Sequence, residues 1–127
     1  MLRVVYDAGA LIALQRRSPR MLLLHRRALA GGSAPIVPTI VLGQVWRGFP
    51  REVGMATALT ACRPHVLDVI TAKLGGQLCG IAGTTDLADA VVAVLAVRYR
   101  AAIVTSDPDE LAVLTVAAGR RSEIFAV

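Results

Sequence analysis

The chain has 127 residues, 55% hydrophobic but only 4% aromatic, with a net charge of +5. That length suits one compact domain spanning residues 1–127, whose core must come from Val, Ala, Leu and Ile without metal or disulfide staples. No uncharged apolar run approaches the roughly 20 residues of a membrane span, and Arg3 and Asp7 interrupt the apolar start where a signal peptide needs a continuous core.

In chain order, Leu2 to Tyr6 is a Val-rich run that predicts a buried first strand. Gly9 to Leu14 continues apolar and predicts a short helix. Ser18-Pro19 predicts a helix start, with Pro19 at the first helical position, and Gly31-Gly32 a stop. Pro35 to Pro38 predicts a second strand. Thr39 is placed to cap a helix from Ile40 to Trp46, and a further helix is expected from Val53 to Ala61. A brief extended piece around His65-Val66-Leu67 leads to Asp68, which caps a helix from Val69 to about Leu78. Gly80 to Thr85 predicts a loop, and Asp86 opens the longest helix, running to Tyr99. Ala102 to Thr105 predicts a strand, Pro108 to Ala118 a helix, and Glu123 to Val127 a closing strand. Strands alternating with helices point to an α/β fold with a parallel sheet covered on both faces.

Charge is distributed unevenly. Thirteen of the fourteen basic residues are Arg, a side chain suited to bidentate phosphate contacts. Such a balance fits a nucleic-acid partner, and it equally fits the composition of a GC-rich genome. Arg16, Arg17, Arg20, Arg26 and Arg27 cluster around the second predicted helix, with Arg47 and Arg51 beyond the next. Contacts of that kind would set register on RNA without reading its sequence. Cys62 and Cys79 have no metal or redox spacing and read as free thiols of a reducing, cytoplasmic compartment.

Only nine residues are acidic, and five of them fall where apolar runs end and helices begin. Asp7 follows the first strand, Asp86 and Asp89 open the longest helix, and Asp107 and Asp109 follow the strand at Ala102 to Thr105. Each has a structural explanation on its own: Asp7, Asp86 and Asp107 stand at cap positions, and Pro108 is a natural first helical residue. Together they say more. Asp86 and Asp89 lie three residues apart on one helix face, and Asp89 stands among Ala88, Ala90, Val91 and Val92, where an unpaired charge is costly. Neighbouring parallel strands would gather these carboxylates at the carboxyl edge of the sheet, where α/β folds bind ligands. Carboxylates so close repel unless a hard divalent cation lies between them.

The segments Val4 to Ala13, Asp86 to Ala93 and Ala102 to Leu111 resemble the three acidic elements of the PIN domains, and within them the VapC-type toxins of bacterial toxin–antitoxin modules. The resemblance covers nearly the whole chain. It implies a three-layer α/β/α sandwich with a central, mostly parallel sheet, and Mg²⁺- or Mn²⁺-dependent cleavage of RNA. It also implies a homodimer and a small VapB-like antitoxin that covers the site. Asp7, Asp89 and Asp107 are the expected metal ligands, Asp86 a catalytic support for the metal or the attacking water, and Asp109 a weaker candidate. One position departs from the pattern: Pro38 to Gly48 matches the element that carries the family's second acid, a Glu, where this chain has Gln44. Gln44 can still reach a cation or its bound water through its amide oxygen, but it brings no charge. A PIN-fold module with a weakened metal site, binding RNA or a partner protein without cutting, is therefore the alternative. A phosphotransfer receiver domain would need a Lys near the last strand, and the sole Lys is Lys73.

Overall fold

A computed structural model describes residues 2–127. Among them the strands are β1 (Val4–Tyr6), β2 (Ile36–Pro38), β3 (Arg63–His65), β4 (Ala102–Thr105) and β5 (Ile124–Ala126). The helices are α1 (Ala8–Gln15), α2 (Pro19–Ala30), α3 (Thr39–Val45), α4 (Val53–Leu59), α5 (Val69–Ala82), α6 (Leu87–Tyr99) and α7 (Pro108–Ala117), with a 3-10 turn at Pro50–Glu52. The strands form one sheet in the order β3-β2-β1-β4-β5, and every pairing is parallel. Parallel neighbours require crossovers, and each here contains at least one helix. Helices α1 to α4 pack among themselves, as do α5 to α7. The chain steps outward from β1 to β3 and then returns past β1 to β4 and β5. Right-handed crossovers in opposite directions put the two helix groups on opposite faces, giving an α/β/α sandwich.

The core follows from composition. Val4, Val5 and Tyr6 of β1 and Ile103 and Val104 of β4 are buried, as a doubly covered parallel sheet requires. Helix α6 is buried over Ala88 and from Ala90 through Ala96. A helix apolar on all sides belongs in the interior, and α6 packs against β1, β4, α5 and α7. Among the described residues no single helix is long and apolar enough to cross a membrane.

Four local expectations need correction. Helix α5 does not end near Leu78 but runs on to Ala82, and the loop predicted from Gly80 begins only at Gly83. A Cβ added at Gly76 or Gly80 would meet nothing within 4 Å, so these glycines sit on an open helical face; the chain turns at Gly83, whose φ of 70° is left-handed. Strand β3 lies two residues earlier than expected, with Pro64 opposite Val37. It is an edge strand, where the N–H that proline lacks is not needed. Thr39 begins α3 instead of capping it, and its hydroxyl accepts the amide of Leu67 at 3.3 Å. The helix expected from Val53 to Ala61 stops at Leu59.

Candidate functional site

Strands β1 and β4 are neighbours in register, with Tyr6 beside Val104. Their carboxyl ends therefore deliver Asp7 and the Thr105-Ser106-Asp107 segment to the same edge of the sheet. The Asp7 amide donates to the carbonyl of Val104 at 3.2 Å, which ties the two ends together. Asp7 is buried and caps α1, its Oδ1 accepting the amide of Ala10 at 2.9 Å. Burial pushes its carboxyl above the usual range. The Thr105 hydroxyl and the amides of Ala10 and Gly9 pull it back, and Asp107 adds a small push upward. Thr105 is itself fully buried, and its Oγ1 accepts the amide of Asp107 at 2.8 Å. One hydroxyl thus acts on the Asp7 carboxylate and on the backbone of Asp107.

Helix α6 brings the second pair. Asp86 is exposed at the N-cap, and its Oδ1 accepts the amide of Asp89 at 3.0 Å. Its own amide donates to Thr84 Oγ1 at 3.1 Å. Asp89 lies in the first turn, half-buried. Burial, then the charges of Asp86 and Asp7, a hydrogen bond shared with Asp86, and more weakly Glu110 push its carboxyl up to about 7. These groups stand close enough to repel, and a proton or a cation between them relieves the repulsion.

Of the residues singled out from sequence, Asp7, Asp86, Asp89 and Asp107 meet at this edge. Asp107 is exposed at the N-cap position of α7 and makes no side-chain cap bond. Asp109 is exposed and lines an adjoining open cleft of 430 Å³ with Thr84, Glu110 and Val113. Gln44 is exposed on α3, with no hydrogen bond to any of the acids. Among the described residues no three His, Cys, Asp or Glu side chains stand ready to hold one ion as they lie.

Two further acids have roles outside that set. Glu110 acts on Asp89 from the first turn of α7; its position three residues after Asp107 is the signal that could have revealed it, since i and i+3 share a helix face. Glu52 is buried, and its carboxylate accepts the amides of Arg47 (2.8 and 3.1 Å) and Gly48 (2.8 Å), closing the turn after α3. Nothing in sequence spacing marks it. The other candidate groups are engaged elsewhere. His25 Nδ1 lies 2.8 Å from the buried Tyr6 hydroxyl, and the His65 ring packs edge-on against Tyr99. Trp46 lines an apolar cavity with Leu42 and Leu59. Cys62 and Cys79 are unpaired, and burial holds the Cys62 thiol at about 11, unfit as a nucleophile.

Comparison with known protein families and with curated proteins finds no match to this chain. Among solved structures, its fold is similar to the crystal structure of PAE2754 from Pyrobaculum aerophilum, with a TM-score of 0.64 and 17% sequence identity over 97% of this chain and 89% of that one.

Proposed function

We propose that this chain is a PIN-type, metal-dependent endoribonuclease that serves as the toxin of a toxin–antitoxin pair and is restrained by a VapB-like antitoxin. The observation that carries this reading is the acidic edge itself. Burial, together with the charges of Asp86 and Asp7 and more weakly Glu110, lifts Asp89 to about 7, at the edge of the sheet where an α/β fold accepts its ligand. The donor set fits Mg²⁺ or Mn²⁺, since it offers hard carboxylate oxygens and no paired soft ligand. Asp7 and Asp89 would hold the ion, with Asp107 and Asp86 reaching it directly or through water. When bound, such an ion supplies Lewis acidity, making water more acidic and withdrawing charge from phosphate oxygens. The chain's own residues set the geometry. Thr105 fixes the carboxylate of Asp7 and the backbone of Asp107, while Asp86, exposed at the start of α6, would orient the attacking water. Arg20, Arg26 and Arg27 of α2, with Arg16 and Arg17 between α1 and α2, would hold the RNA backbone.

The second reading, an RNA- or protein-binding module that does not cut, draws on Gln44, which is exposed and uncharged where the family's acid is expected. A cleavage assay on single-stranded RNA across a Mn²⁺ titration separates the two. Asp7→Asn and Asp89→Asn should each lower cleavage roughly 10²-fold or more. If position 44 faces the metal, Gln44→Glu should tighten Mn²⁺ several-fold, since an added charge at short range is worth on the order of 1 kcal/mol. RNA that is bound but uncut at every metal concentration selects the binding module.

A further inference from the structure

The opposite end of the sheet holds a second concentration of charge. Strands β1, β4 and β5 are adjacent, so the segments that lead into them come together at the amino edge. Those segments carry Arg3, Arg100, Arg120 and Arg121, and they line one polar cavity of 170 Å³ with Glu123. Four Arg residues and a single acid thus line one cavity. All four are exposed. Arg3 Nη1 donates to the carbonyl of Tyr99 at 3.4 Å, and the Arg63 guanidinium lies 5.6 Å from the centre of the same Tyr99 ring, extending the basic surface toward β3. Like charge gathered in one concavity attracts anions, and the planar fork of Arg matches phosphate oxygens in pairs.

We infer that this cavity is a phosphate-binding site, remote from the acidic edge and independent of whether that edge cuts RNA. Its ligand is a phosphate group carried either by an RNA backbone or by a free nucleotide bearing a pyrophosphate. The cavity is small and polar, which suits a phosphate group and not a base or an acyl chain.

The test uses the full chain in EDTA, so that metal chemistry plays no part. Calorimetry with pyrophosphate and fluorescence anisotropy with a short labelled single-stranded RNA are run on three proteins: the native chain, Arg100→Gln/Arg121→Gln, and Arg26→Gln/Arg27→Gln, which removes the same charge from α2. The native chain should bind pyrophosphate saturably, and the first double variant should lose about 10-fold in affinity while the second keeps it. If the natural source is RNA, the slope of log affinity against log salt for the RNA should also fall by roughly 0.7 for each Arg removed from the cavity. If it is a free nucleotide, pyrophosphate affinity falls while Arg100→Gln/Arg121→Gln binds RNA as the native chain does. No saturable pyrophosphate binding to the native chain, or equal losses in both double variants, overturns the site. The substituted side chains are exposed, and matching thermal melts confirm that both variants fold.

Discussion

Asp89 stores the repulsion of the acidic edge. Its carboxyl is held near 7 in the folded chain against 3.8 for the free side chain, because burial and the charges of Asp86 and Asp7 oppose ionisation. A raised folded value means that the native state binds more protons than the unfolded one between these limits. Stability from this group is therefore full below about pH 4 and is lost as pH rises through 7. Buried His25 acts in the opposite sense, since burial lowers its pKa and stability falls as the pH drops below 6.5. Comparing the native chain with Asp89→Asn isolates the Asp89 share. In metal-free buffer the variant should melt higher than the native chain at pH 8, and the gap should close by pH 4. A gap unchanged between the two pH values would remove the repulsion argument. At this scale the sequence was readable where chemistry coincides with a change of secondary structure. Asp7, Asp86 and Asp107 each stand at a strand end or helix start, and three local patterns placed them at one edge. Glu110 is marked only by its i+3 spacing from Asp107, and Glu52 by nothing, because its amide partners depend on the path of the turn after α3. Gln44 illustrates the same limit, since its exposure on α3 depends on how that helix is rotated.

The contact between α5 and α6 decides how firmly the Asp89 turn is held. Gly75 is buried against α6, and a Cβ added there would come within 3.0 Å of Val91 Cγ2 and 3.1 Å of Leu87 Cδ1. Gly76, the next residue and about 100° further around the helix, faces open space. The two adjacent glycines therefore predict opposite outcomes in urea melts. Gly75→Leu should destabilise by about 1–3 kcal/mol through overpacking against a helix that cannot retreat from the core. Gly76→Ala should stabilise by about 0.5–1 kcal/mol, since it removes backbone freedom from a helical position at no steric cost. Similar effects at both positions would mean that α5 does not seat on α6 as described. Most elements were legible from periodicity and punctuation: the starts of α2 and α7 follow their prolines, and β2 lies between its own. The glycines of α5 hide its end, because Gly80 sits on an open helical face where glycine reads equally as a loop.

For the whole molecule, the acidic edge and the basic amino edge make a net charge of +5 that is strongly polarised along the strands. A cation that binds only the folded chain stabilises it by mass action, by about 1.4 kcal/mol at ten times its Kd. Millimolar Mg²⁺ or Mn²⁺ should thus raise the melting temperature of the native chain by about 5 °C, and Asp7→Asn should lose most of that response. A melting curve indifferent to both ions would count against a metal at the acidic edge. The α/β class was evident from the alternation of elements, and the strand order was not, because short apolar runs do not specify which neighbour they choose. That order has a consequence for the making of the protein. Val5 pairs with Ile36 on one side and with Ile103 on the other, so β1 waits for most of the chain before its second neighbour exists. Pairings of such long reach form slowly. On the ribosome, a nascent chain that has passed Gly83 holds Asp7 but neither Asp89 nor β4, and its partly built sheet presents an open side. The acidic edge is consequently a late product of synthesis: truncated chains lack it, and only a chain extended past β4 brings its carboxylates together.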